Sequence, residues 1–159
     1  MCDLREWAQM AAALGSVLAA IAAWRSACQS RKALWGQMVN NIMEVYSSPD
    51  MLDGIHRLQL FRGEHTGDYP GDFAKIRKQE PHGQQLDKDR RRLAHWFHRI
   101  RMLVESGVLN ECFVKKVVSS DQVSLLLVLD EPLEKAINPN YDKTTFDLFR
   151  RLYPEATKR

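Results

Sequence analysis

The sequence contains one long uncharged stretch, residues 7–24, which reads WAQMAAALGSVLAAIAAW. As an α-helix it would be roughly 27 Å long, close to the ~30 Å hydrocarbon thickness of a bilayer. Trp7 and Trp24 stand at its two ends, where membrane proteins place indole rings in the interfacial layer. Eight of the 18 residues are alanine, so the apolar driving force is modest. The stretch predicts a transmembrane helix at 7–24 after a short tail at 1–6.

Two other readings of this stretch stay open. The alanines at 20–23 allow a signal-peptide cleavage site, although Asp3 and Glu6 offset Arg5 where a signal peptide carries positive charge. An Ala-rich helix buried in a soluble bundle or coiled coil is the second alternative.

The charges that follow the stretch predict its orientation. After the stretch, the chain carries Arg25, Arg31 and Lys32 before it reaches its next acidic residue, Glu44. Positively charged flanks of membrane helices are retained in the cytoplasm. We therefore predict a single-pass protein of the inner membrane with a cytoplasmic C-terminal domain.

Small residues recur every four positions along the predicted membrane helix, at Ala11, Gly15, Ala19 and Ala23. Such a stripe lets a second helix approach closely. It predicts homo-oligomerisation through these four residues, although so many alanines can also produce the spacing by chance.

Apolar residues at helical spacing predict an all-α chain in which the membrane helix continues into a small helical bundle. The predicted parts are an amphipathic helix at 25–47, a helical domain at 48–154 and a tail at 155–159. Composition agrees with a folded domain, because 45% of the residues are apolar and 27% charged. The net charge of +3 is too small to indicate nucleic-acid binding.

Several local signals predict where helices begin and end. Ser48 before Pro49 predicts an N-terminal cap, and Gly107 a left-handed C-terminal cap. Further N-terminal caps are predicted at Asn110, Ser119 and Asp142. The run VSLLLVL at 123–129 could form a strand, but the cap before it and PLEKAI after it favour helix. Pro132 must kink this helix or restart it, with Asp130 as the cap.

A basic row on the helix predicted at 85–106 is the candidate face for an anionic partner. Its members are Lys88, Arg91, Arg92, His95 and Arg99. Internal ion pairs with the acidic segment 121–147 are one explanation of this row. Anionic lipid headgroups and an acidic protein are two others. Nucleic acid is disfavoured, because the aromatic residues of the helix lie on its apolar stripe and not between the arginines.

No pattern in the sequence indicates catalysis, a cofactor or a metal. His95 and His98 lack the Glu-x-x-His companions of bundle metal sites. Cys2, Cys28 and Cys112 are widely spaced and indicate neither a disulfide framework nor a zinc site. We predict no catalytic, cofactor-binding or metal-ligating residue, and the sequence favours a protein that is not an enzyme.

Three blocks, SPDMLDGIHRL, LDKDRRRLAHWFHRIRMLVESGVL and VLDEPLEKAINPNYDKTTFDLF, resemble an uncharacterised family of small prokaryotic proteins that carry a domain of unknown function. The resemblance covers residues 48–153 and implies a membrane helix ahead of a helical domain, with no activity to transfer. We predict a membrane-anchored helical interaction or regulatory module. The alternative is a soluble oligomeric helical protein that binds an acidic partner or nucleic acid through its basic helix.

Overall fold

A computed structural model of the chain describes residues 4–158, apart from the side chains of residues 4–6, 8, 10–12, 157 and 158. The described residues form helices joined by short turns, with no β-strand among them. The all-α prediction is therefore confirmed. The helices, in chain order, are α1 (Leu4–Tyr46), α2 (Pro49–Glu64), α3 (Tyr69–Ile76), α4 (Pro81–Glu105), α5 (Glu111–Val117), α6 (Ser120–Leu125), a π turn (Leu126–Asp130), α7 (Glu131–Ile137), α8 (Thr144–Leu152) and a 3-10 turn (Pro154–Lys158).

Four of the predicted caps are confirmed. The hydroxyl of Ser48 accepts a hydrogen bond from the backbone N–H three residues on, and Pro49 is the first residue of α2. The side chain of Asn110 accepts the equivalent bond at 2.7 Å. Ser119 forms a capping box with Gln122, through reciprocal bonds of 3.2 and 2.8 Å. Gly107 follows α4 with a φ of +71°, the left-handed conformation that favours glycine.

The predicted cap at Asp142 is displaced by one residue. The side chain of Asp142 accepts bonds from the backbone N–H and the hydroxyl of Thr144, at 2.9 and 2.6 Å. The residue at the cap position of α8 is nevertheless Lys143. Asp142 therefore orders the entry to the helix as an Asx turn, one residue before the position that we predicted.

The chain divides into a first unit that ends at Asn41 and a second that begins at Ile42. The first unit is helical, and most of its described large apolar side chains are exposed. Leu14 has 66% of its surface exposed and Trp24 has 72%, and Val17, Leu18 and Ile21 are exposed between them. None of the side chains described in this unit is buried.

No helix in the part of the chain with described side chains is long and apolar enough to cross a bilayer. The predicted span at 7–24 includes residues 8 and 10–12, whose side chains lie outside that part. The structure therefore does not support the predicted transmembrane helix, which stays a prediction.

The second unit has a dense core built on the apolar stripe of α4. Phe97 packs edge-on against Phe149 of α8, with ring centroids 4.8 Å apart. The indole N–H of Trp96 donates to the carbonyl of Ile42 at 2.8 Å, which holds the end of α1 against α4. A cluster of buried side chains joins α2, α3, α4, the π turn and α7: Leu58, Phe61, Tyr69, Phe73, Leu86, Leu129 and Leu133.

The helix at 120–137 contains a π turn, for which Pro132 supplies a physical reason. The proline lacks the N–H that would bond the carbonyl of Val128 in an α-helix, and its ring would crowd that carbonyl. The helix instead contains a wider turn with one extra residue, in which the N–H of Glu131 donates to the carbonyl of Leu126, five residues earlier. The hydroxyl of Tyr69 donates to the carbonyl of Leu129 and lies 3.4 Å from that of Val128.

Asp130 does not cap α7 in the way that we predicted. Its backbone is helical and its side chain makes no capping hydrogen bond. The π turn continues directly into α7, so Asp130 lies inside a helix. Its carboxyl group points into the protein and is buried.

Candidate functional site

The predicted basic face of α4 is largely exposed. Lys88, Arg91, His95 and Arg99 are exposed, and Arg92 is half-buried. Arg92 contacts α2, where its guanidinium donates to the backbone carbonyl of Asp50 at 2.8 Å. The carboxylate that Arg91 contacts belongs to its own helix. Within the described residues, Lys88 and Arg99 form no ion pair.

The arginines that face inward are different ones. Arg90 is buried and contacts three carboxylates: Asp130 at 3.4 Å, Glu134, and Asp87 of its own helix at 3.3 Å. Asp130 and Glu134 belong to the acidic segment 121–147, so this segment does pair with the basic helix, but through Arg90 and not through the predicted basic row.

Arg101 makes the second internal connection. It donates to the hydroxyl of Thr144 at 2.6 Å and lies 3.7 Å from the carboxylate of Asp142. Its own helix supplies Glu105 at 3.0 Å. Hydrogen bonds from Thr144 lower the pKa of Asp142, which is therefore ionised at neutral pH.

Asp130 is the most perturbed carboxyl group of this region. Burial raises its pKa to about 7, because a charged carboxylate loses its hydration in the protein interior. Arg90 opposes this effect, but its guanidinium is shared with Glu134 and Asp87. One carboxyl oxygen of Asp130 accepts from Arg90, and the other, Oδ2, has no hydrogen-bond partner among the described residues.

A pocket of about 180 Å³ lies beside Asp130, between α4, the π turn, α7 and α8. Its polar wall carries three carboxyl groups, an imidazole and a hydroxyl. Its apolar wall is made of an alanine, a leucine and a phenylalanine. The lining residues are Ala94, His98, Leu126, Asp130, Glu134, Asp142, Thr145 and Phe146. A concave site with a few converging polar groups and a perturbed pKa is the usual form of a ligand site.

A second, larger cleft of about 370 Å³ lies between the end of α2 and the helix at 120–137. Arg62 is the charged residue in its lining, beside Gln59, Thr66 and Ser124. No polar side-chain atom of these four residues is both buried and unpartnered. The pocket beside Asp130 is therefore the better candidate site.

The small-residue stripe lies on the first unit. Gly15, Ala19 and Ala23 are exposed, and no atom comes within 4 Å of the place where Gly15 would carry a side chain. The side chain of Ala11 lies outside the described residues. Nothing in the structure tests whether a second chain binds there.

One histidine of the pair on α4, His98, contacts a buried arginine. His98 lies 3.3 Å from a guanidinium nitrogen of Arg101 and so can accept its hydrogen bond. Among the described residues, no three His, Cys, Asp or Glu side chains are grouped in a way that could hold a metal ion.

Sequence reasoning missed the pocket, although two signals for it were present. Arg90 falls four residues after Leu86 and three before Leu93, so it occupies a position of the apolar stripe itself. Asp130 immediately follows a dense apolar run and precedes another buried leucine, Leu133. A charge at a core position of each helix indicates a buried pair.

Comparison of the chain with protein-family models, curated proteins and solved structures found no match. The resemblance to an uncharacterised prokaryotic family therefore stays a prediction.

Proposed function

We propose that the protein is a membrane-anchored helical interaction module, held by the first part of α1, that presents the basic face of α4 to an anionic surface. The main support for a membrane anchor is the row of exposed apolar side chains on α1. Its members, from Leu14 to Trp24, are half to three-quarters exposed in the first unit. Each such side chain gains roughly 1.5–3 kcal/mol when it is fully buried, so the segment has a strong tendency to enter an apolar environment.

Two features favour a bilayer as that environment. Residues 7–24 contain no charge, and a tryptophan stands at each end. Arg25 and the basic residues after it would then lie on the cytoplasmic side. The same exposed side chains would also suit a second copy of α1, which is the soluble alternative.

Alkaline carbonate extraction of membranes that contain the full-length protein tests the anchor. We expect the protein to stay in the membrane pellet. Leu18→Glu places a charge in the middle of the uncharged stretch and should release most of it. The matched control is Ala27→Glu, which adds the same charge at another exposed position of α1. Release of the unaltered protein would leave only the soluble reading.

Self-association along the small-residue stripe belongs to the same proposal. Leucine at Gly15 and Ala19 would prevent the close approach of two helices. Light scattering of the purified full-length protein should then show a smaller particle for the double variant. An unchanged mass would remove the stripe from the proposal.

The second part of the proposal concerns Lys88 and Arg99, which are exposed while Arg90 and Arg101 are buried in internal pairs. A cation close to an anionic leaflet contributes ~1 kcal/mol of attraction, which salt weakens. We take anionic lipid to be the partner of this basic face, because a membrane anchor would hold the domain near the lipid headgroups.

Acylation of lysines tests this contact in vesicles that carry the full-length protein. Anionic lipid should slow the modification of Lys88 several-fold at low salt and much less at high salt. Lys135 is also exposed and serves as the internal control. Equal rates at Lys88 with and without anionic lipid would direct the search to an acidic protein partner.

A further inference from the structure

We propose that the pocket beside Asp130 binds a small organic cation, specifically a primary ammonium group on a short apolar chain. The ammonium would donate to Oδ2 of Asp130, and the chain would lie against Leu126 and Phe146. Neither the sequence patterns nor the proposed membrane anchor assigns a role to this pocket.

The first argument is the unpartnered oxygen. Asp130 has no exposed surface, and its Oδ2 accepts no hydrogen bond from the described residues. A buried carboxylate oxygen without a hydrogen-bond donor destabilises the folded state, and such oxygens are rare in proteins. Asp130 is also one of the residues that line the pocket, so a donor bound against its carboxyl group would supply the missing hydrogen bond.

The second argument is the local charge. Three guanidinium groups are shared among five carboxyl groups: Arg90 contacts Asp87, Asp130 and Glu134, Arg91 contacts Asp87, and Arg101 contacts Glu105 and Asp142. The wall of the pocket itself carries three of these five. This excess of acid repels anions and favours a cation.

The third argument is the shape and the mixed lining. A volume of about 180 Å³ is below the usual range for drug-sized ligands and suits a handful of heavy atoms. Leu126, Phe146 and Ala94 form the apolar wall, and the hydroxyl of Thr145 adds a second acceptor. A metal ion needs three or more converging ligands, whereas an ammonium group needs an acceptor and a counter-charge.

Binding should be linked to the ionisation of Asp130. The charged and titratable groups around it are Arg90 of α4, Tyr69 of α3, and Glu131 and Glu134 of α7, and the pocket wall adds His98 and Asp142. The cation requires the carboxylate form, so at a pKa of about 7 it displaces a proton when it binds in mildly acidic solution. Affinity should therefore rise about tenfold between pH 6 and pH 8.

Calorimetric titration of the full-length protein with n-butylammonium chloride tests the proposal, and 1-butanol serves as the neutral probe of similar shape. We expect binding in the millimolar range for butylammonium, at least tenfold weaker binding for butanol, and proton release at pH 6. Equal affinity for the two probes, or no binding of butylammonium up to tens of millimolar, would overturn the proposal.

Three variants complete the test. Asp130→Asn keeps the shape and the oxygen that accepts from Arg90 but removes the charge, and it should abolish binding of butylammonium. Ala94→Leu fills the pocket without a change in charge and should abolish binding as well, so the test remains decisive if one variant folds poorly. Asp53→Asn removes an exposed carboxylate outside the pocket and should bind as the unaltered protein does. Undiminished binding by either pocket variant, once circular dichroism shows it folded, contradicts the assignment.

Discussion

The two sides of α4 carry the same kinds of residue and use them in opposite ways. On the inner side, Arg90 and Arg101 are buried and contact carboxylates from other parts of the chain, Asp130 in the π turn and Asp142 in the turn before α8. On the outer side, Lys88 and Arg99 are exposed and make no ion pair within the described residues. The difference depends on where each residue falls relative to the apolar stripe of the helix. A cation within the stripe becomes part of the fold, and one outside it is free to meet a partner.

The largest effect should follow from the loss of the buried cation on the inner side. Arg90→Ala leaves Asp130 and Glu134 without their common partner, and uncompensated buried charge costs about 3–5 kcal/mol. Chemical denaturation should show a fall of this size in the free energy of unfolding. The neighbouring Arg91→Ala removes an exposed cation from Asp87, which keeps its contact with Arg90, and should cost less than about 1 kcal/mol. Equal costs for the two variants would contradict the division of α4 into two sides.

The next largest effect should be a change of stability with pH that is caused by Asp130, which contacts the inner side of α4. The pKa of Asp130 is raised in the folded state, so the folded protein holds a proton that the unfolded chain releases above its ordinary pKa of 3.8. Stability from this group is therefore lost as the pH rises from about 4 to 7, by at most about 1.4 kcal/mol per pH unit.

Unfolding curves at pH 5, 6, 7 and 8 measure this dependence. The unaltered protein should lose stability relative to Asp130→Asn as the pH rises to 7, and the difference should level off above it. A difference between the two proteins that stays constant with pH would show that Asp130 is ionised throughout. The outer side offers no buried carboxyl group that would produce such a slope.

A smaller effect should follow at the π turn that holds Asp130 in place. Tyr69→Phe removes the hydroxyl that donates to the carbonyl of Leu129, which is buried. A lost bond to a buried acceptor costs about 1–3 kcal/mol. Denaturation should report this loss, and hydrogen exchange should increase at the amides around the turn. Tyr46→Phe is a suitable comparison for the exchange measurement, because the hydroxyl of Tyr46 bonds the side chain of Gln122 and not the π turn.

The smallest effect on stability should occur on the outer side. Arg99→Glu changes an exposed residue without an ion pair and should alter the free energy of unfolding by about 0.5 kcal/mol or less. The same variant should nevertheless weaken the protection of Lys88 by anionic lipid, since it reverses a charge on that face. A large loss of stability would mean that the outer side also has a structural role.

Local structure was predictable from the sequence where a single residue type determines it. The caps at Ser48, Asn110 and Ser119 and the left-handed Gly107 require one side chain or its absence, and short-range patterns report these directly. The opposite charges of the basic helix and the acidic segment made it possible to predict that ion pairs join them. Which arginine makes the contact depends on packing between helices that are distant in sequence.

The candidate pocket was not predictable for the same reason. Asp130 before Pro132 has the local pattern of a helix cap, and a regular α-helix would indeed have to break near the proline. The widened turn is an alternative to that break. It became favourable because Tyr69, about sixty residues away in the chain, donates to the carbonyl at the turn. No local pattern contains that partner.

The π turn also determines which side of α7 faces the core. An inserted residue rotates the rest of a helix by about 100° relative to a regular α-helix. Deletion of one residue between Leu126 and Asp130 would restore regular phase and turn α7 away from its present side. Leu133 would leave the core and Glu134 would leave Arg90. A single extra residue in the backbone thus keeps the acidic wall of the pocket aligned with α4.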